Sequence, residues 1–165
     1  MNPEAFLQEL KSLRGKILRL SRKVNDHMAG HVVELTRDGL KENGRTLKGS
    51  KVLVLGLTFR GGVKELRHSR SIPIAQMFKD LGAETYAFDP LLSKEETEKL
   101  GFRYNGGFSG MDAAVITNDH AEFRKINWGN AIKEMRTKIL IDAKQTIRPE
   151  KAKAVGFTYR GIGFA

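Results

Sequence analysis

The residues best suited to chemistry lie together at positions 56–70, which read GLTFRGGVKELRHSR. Arg60, Gly61 and Gly62 are followed there by Lys64, Arg67, Ser69 and Arg70. Glycines let backbone amides approach an anion, a helix opening just after the stretch adds its dipole, and arginines add forked donors. That is the chemistry of a phosphate or pyrophosphate site. The same spacing also describes a flexible basic loop with its charges in water. The dinucleotide fingerprint G-x-G-x-x-G is missing, since Gly56 stands without its partners. Asp89 sits where a ribose-binding acid could sit, although Asp-Pro is more often a turn former. Asp119-His120 could form an acid/base pair, but adjacent residues at a strand end seldom face each other, so a helix-capping role is expected. His27 and His31 are spaced i,i+4 without the glutamate of H-E-x-x-H, so no zinc site is expected. Phe123 and Trp128 are expected in the core. The chain has no cysteine, which excludes a disulfide scaffold, a thiolate metal site and a cysteine nucleophile.

The elements that must position these groups follow from hydrophobic periodicity. Up to about Asn43, residues Phe6, Leu10, Leu13, Ile17, Leu20, Val24 and Met28 keep helical steps, and Val32, Leu35 and Leu40 continue the stripe. Pro3 suits a first turn and Asn43-Gly44 a stop, while Gly15 and Gly30 could each break or bend the helix. So long an apolar stripe needs a partner, and a second copy of the same helix is the economical one. From Lys51 the pattern becomes short apolar runs, at 51–57, 85–88, 113–117 and 138–142, with 157–162 a fifth candidate. A helix is expected at 71–81, with Pro73 in its first turn and Gly82 as its stop, and another opens on a capping box, Ser93 to Glu96. Segments 121–135 and 149–155 supply the remaining crossovers. This alternation predicts an α/β fold: a Rossmann-like parallel sheet with helices on both faces, preceded by a long N-terminal helical dimerisation arm. We divide the chain into an arm, 1–44, and a sheet domain, 45–165, with 44–50 as the linker. In such a sheet ligands bind beyond the carboxyl ends of the strands, where the 56–62 loop, Asp89-Pro90, residues 118–120 and residues 142–144 all fall.

Bulk properties bound the function without choosing it. A length of 165 residues can bury a core without disulfides or metals. No apolar run reaches membrane length and no charged start is followed by an apolar stretch and a cleavage site, so a soluble, cytoplasmic protein is expected. The formal charge of +10 favours anionic partners, but Lys and Arg are spread along the chain. The densest run, 14–23, falls on the helical arm, where a solvated face is the expected reading.

Residues 51–90 resemble the start of the C-terminal domain in the UDP-glucose/GDP-mannose dehydrogenase family. That pattern is a strand ending in L-G-x-x-F-K, a short loop, D-x-R-x-S, a helix, G-A, and a strand ending in Y-D-P. Collinear matches follow: MDAAVITNDHAEF resembles the third strand and following helix, KILIDAK the D-G-R strand end, and YRGIG the closing strand. Upstream, SRKVNDHMAGHVVEL resembles the end of the family's central dimerisation helix, and its V-N-D-x-M wording is similar to the UDP-N-acetylmannosamine dehydrogenase branch.

The resemblance implies the UDP-sugar-binding portion of an enzyme that uses NAD to oxidise a sugar C6 alcohol to a carboxylate. Phe59 and Arg60 stand at the Phe-Lys pair and Lys144 at the D-G-R arginine, both contacts to the UDP-sugar. Arg67 stands at the D-x-R arginine, which in relatives reaches the NAD held by the other domain. Three departures change geometry: Arg60 replaces Lys, Glu65 replaces Asp, and Ala143-Lys144 replaces Gly-Arg. The resemblance also implies a homodimer through the helical arm; neither nucleic acid nor membrane is expected as partner, for want of a recognised binding motif and of an apolar run of membrane length. Catalytic and metal-ligating residues are expected in neither part: the family's glycine-rich NAD site and catalytic cysteine belong to an N-terminal half not represented here. MNPEAFLQEL resembles the wording that follows that cysteine, so the chain is expected to begin just after the catalytic loop and to be inactive alone. Two other readings compete: a basic nucleic-acid-binding module, which lacks a recognised motif, and a stand-alone Rossmann-like protein binding NAD directly, which lacks the fingerprint.

Overall fold

The structure, a computed structural model, describes residues 3–163. Six parallel strands form one sheet in the order β3-β2-β1-β4-β5-β6. They are β1 (Lys51–Leu55), β2 (Glu84–Phe88), β3 (Arg103–Tyr104), β4 (Ala113–Ile116), β5 (Ile139–Asp142) and β6 (Thr158–Gly161). The expected α/β class and parallel sheet are therefore observed. The order reverses between β1 and β4, which makes their carboxyl ends the switch point of the sheet.

Successive side chains of each strand point to opposite faces, and both faces are buried. Val52, Val54, Ala113, Val115, Ile139 and Ile141 enter one core layer, with Leu40, Ile74 and Phe78. Leu53, Leu55, Ala114, Ile116 and Leu140 enter the other, with Phe123, Ile132 and Phe157. Helix α2 (Ser71–Asp80) covers the first layer through Ile74, Ala75 and Phe78, carries Pro73 in its first turn, and stops before Gly82 at φ +83°. Helix α3 (Lys94–Lys99) has the expected capping box, in which Ser93 Oγ accepts from the Glu96 amide and the Glu96 carboxylate accepts from the Ser93 amide.

Three departures from the sequence reading have local causes. The 121–135 segment is not one helix: a 3-10 turn, Ala121–Lys125, gives way at extended Ile126 to α4 (Trp128–Glu134), capped by the Asn127 side chain. Strand β3 escaped notice because two residues carry no periodicity. Helix α1 (Pro3–Glu42) runs unbroken through Gly15 and Gly30, each a cost of about 1 kcal/mol that packing can override.

Helix α1 also does more than project. Val32, Val33, Thr36 and Leu40 are buried in the first core layer, and Gly39 brings the helix so close that a Cβ there would stand 3.1 Å from Ile139. The β3–β4 connection contains no helix, so the last third of α1 covers β4 and β5 on that face. Towards its start the helix leaves the sheet, and Leu13, Ile17 and Leu20 are 46%, 62% and 61% exposed. Helix α5 (Pro149–Ala154) completes the second layer through Ala152.

Candidate functional site

The loop after β1 is held from below by one buried carboxylate. Asp89 directly follows β2 and is wholly buried. Its Oδ2 accepts from the amides of Leu57 (2.7 Å) and Thr58 (2.8 Å), from Thr58 Oγ1 (2.9 Å), and from His120 Nε2 (3.2 Å). Its Oδ1 accepts from the Leu91 amide at 2.9 Å, so the expected turn is formed as well. Burial alone would raise this carboxyl's pKa. The hydrogen bonds from His120, Thr58, Leu91 and Leu57 outweigh burial and hold it well below the usual carboxylate range.

Asp119 and His120 do not cap the helical turn that follows; His120 precedes it but makes no side-chain cap bond. Instead they grip consecutive amides of the β1 loop. Asp119 Oδ1 accepts from Gly61 N at 2.9 Å, and His120 Nδ1 accepts from Gly62 N at 3.3 Å. The Gly61 amide, with help from the Lys144 charge, lowers the Asp119 pKa. With Nδ1 facing an N–H, the ring's proton belongs on Nε2, within reach of Thr58 Oγ1 (2.9 Å) and Asp89. Asn118 Nδ2 closes the network on the Thr58 carbonyl at 2.7 Å. Adjacent residues need not face each other to act together; here they act on neighbouring peptide groups.

Phe59 and Arg60 therefore sit at the tip of a loop anchored on both sides. Phe59 is 49% exposed, and the Phe59 amide donates to the Glu65 carbonyl at 2.7 Å. The β5 loop is built on the same plan. Buried Asp142 accepts from the amides of Lys144 (3.0 Å) and Ile147 (2.9 Å), which turns the exposed Lys144 out at the strand end. Burial raises the Asp142 pKa despite those amides. Neither the Arg60 nor the Lys144 side chain has a salt bridge or hydrogen bond among the described residues, although the Lys144 charge acts on Asp119. Arg67 is different. Its guanidinium folds onto Glu65 (3.3 Å) and is 84% exposed, and the Arg67 amide also donates to Glu65 Oε1 at 2.7 Å. The acid that departs from the Asp of D-x-R thus serves as the anchor of its arginine.

The sequence reading missed the Asp89, Thr58, Asn118 and His120 network. Its only sequence signal was a run of polar residues, T-N-D-H, where a buried strand ends. Gly56 belongs to the same junction: at φ +98° a Cβ would stand 2.3 Å from the Asn118 Cβ. At the opposite end of the sheet, buried Asp112 pairs with Arg136 and Arg45 and accepts from the Lys51 amide, a structural ion cluster remote from the loops described above.

Residues 53–149 match the family described as UDP-glucose/GDP-mannose dehydrogenase family, UDP binding domain. The chain belongs to that family. It is 31% identical over 164 residues to the UDP-N-acetyl-D-mannosamine dehydrogenase of Pyrococcus horikoshii, covering 98% of this chain and 37% of that protein. It is 30% identical over 125 residues to a UDP-glucose 6-dehydrogenase of Rickettsia bellii, covering 71% of this chain and 29% of that one. The solved structure of the Pyrococcus enzyme superposes with a TM-score of 0.75 over 88% of this chain and 33% of its own. The chain thus spans about a third of the length of its relatives, and the family resemblance read from the motifs is shown.

Proposed function

We propose that the chain is the UDP-sugar-binding portion of an NAD-dependent nucleotide-sugar 6-dehydrogenase, with UDP-N-acetylmannosamine as the sugar nucleotide. The observation that carries this reading is the placement of two unpaired cations, Arg60 and Lys144, at the carboxyl ends of β1 and β5 on either side of the switch point. Their role is to neutralise the diphosphate. Phe59 adds an apolar surface beside it, and Arg67 reaches toward the NAD carried by the catalytic portion. The similarity to the Pyrococcus enzyme supports the choice of sugar.

Division of labour follows from chemistry. Oxidation of the intermediate aldehyde through a thiohemiacetal needs a thiolate, and this chain has no cysteine. Its own residues bind and orient; the nicotinamide, when bound, accepts hydride. The exposed apolar stripe of residues 13–20 is the contact of a homodimer, the strands of the sheet domain all follow residue 44, and the protein works in the cytoplasm. Among the described residues no helix is long and apolar enough to cross a membrane.

Calorimetric titration with UDP tests the reading. Saturable binding is expected, and Arg60→Ala should weaken it by about tenfold or more, the scale of one charge-assisted hydrogen bond. Absence of heat at millimolar UDP, or an unchanged affinity in both R60A and K144A, would reject it.

A further inference from the structure

The strand order puts the crevice of this sheet where dinucleotide-binding domains take a pyrophosphate, between the ends of β1 and β4. Such a site needs a glycine that leaves room for the phosphates and loop amides free to point at them. Neither condition is met. The space beside Gly56 is filled by the Asn118 side chain. Four loop amides already have internal acceptors: Leu57 and Thr58 on Asp89, Gly61 on Asp119, Gly62 on His120. The β1 turn at Gly56 therefore lacks the room and the free amides of a dinucleotide pyrophosphate cradle.

We propose that the Asp89 carboxylate is the resident anion of this loop and that, with Asp119 and His120, it clamps Phe59 and Arg60 outward, so that a nucleotide diphosphate is taken by side-chain cations and not by backbone amides. The inference rests on the UDP-sugar reading above and deepens it. A phosphate approaching Leu57 and Thr58 meets a buried, ionised carboxylate that already holds both amides. The His120 ring joins the two ends of the loop, because Nε2 bonds to the Asp89 carboxylate under Leu57 and Thr58 while Nδ1 takes the Gly62 amide. Between those anchors only residues 59–61 remain, and Gly61 is pinned by Asp119. Gly61 admits no side chain either, since a Cβ would stand 2.7 Å from the Asp119 carbonyl oxygen. A loop ordered before the ligand arrives spares binding the cost of ordering it. Asp89, Asp119 and His120 are positioning residues: they shape the site through the loop and need touch no ligand.

The test reads the clamp without any ligand, then adds one. In the ligand-free chain, imidazole nitrogen shifts should show His120 protonated on Nε2, and the amides of Leu57, Thr58, Gly61 and Gly62 should be protected from exchange. D119A, a change at an exposed position, should release Gly61 alone. H120F should release Gly62 and loosen Leu57 and Thr58, and H120Q, which keeps a donor and an acceptor, should restore them. With UDP, the four amide protons should stay on their internal acceptors, H120F should bind roughly tenfold more weakly than wild type, and H120Q should recover most of the loss. Unprotected amides in the wild type would overturn the proposal. So would folded H120F or D119A with unchanged protection, or large UDP-induced shifts showing the amides transferred to phosphate. If the amides behave as expected but the wild type ignores UDP, the functional reading falls while the resident carboxylate stands.

Discussion

At the scale of the residue, the decisive group is an aspartate whose sequence context, Asp-Pro after a strand, suggests only a turn. It makes that turn through Leu91 and also holds three other residues of two loops through one oxygen. Because its folded pKa lies below its unfolded value, the unfolded chain takes up a proton first as pH falls. Asp89 therefore contributes full stability above about pH 4 and loses that contribution as pH drops through its folded value. Asp89→Asn should cost on the order of 2–4 kcal/mol at neutral pH, since it removes the charge from a buried set of donors. The two proteins should converge in stability toward acid, which chemical denaturation at several pH values will show. A constant gap down to pH 2 would contradict the assignment. The cations at the loop tips were legible in the sequence because exposed charge needs no partner to be noticed. The carboxylate beneath them was not, because its partners come from residues 57, 58, 91 and 120, which only the folded sheet brings together.

At the scale of the element, the sequence pattern identified five of the six strands and the ends of α2, since a buried parallel strand is a continuous apolar run and this helix stops at a glycine with positive φ. It failed where length or context removed the signal, at two-residue β3 and at the 3-10 turn before α4. Gly56 shows a constraint between elements: it reads as an incomplete fingerprint, yet its missing side chain is what lets β1 and the end of β4 close together. Gly56→Ala must place a Cβ into Asn118 at φ +98°. The expected loss is about 2–4 kcal/mol from overpacking and backbone strain, measurable as a fall in the unfolding midpoint. A neutral G56A would mean that the β1–β4 junction is looser than described.

At the scale of the whole molecule, α1 divides into a buried third that completes the sheet's cover and a projecting part with apolar residues in water. A 40-residue helix is about 60 Å long, more than a small sheet can cover. Light scattering should therefore report a dimer or larger, and replacing Leu13, Ile17 and Leu20 with Lys should give a monomer whose sheet still folds, because those side chains lie outside both core layers. A monodisperse wild-type monomer at high concentration would remove the dimer from the account. The most direct test of the central claim is to map UDP onto the chain by backbone amide shifts. Saturable perturbation is expected at Phe59, Arg60 and Lys144, around the carboxyl ends of β1 and β5, while a second groove, lined by Arg124, Trp128, Arg148 and Lys151, stays silent. Perturbation confined to that groove, or none at saturating UDP, would contradict it.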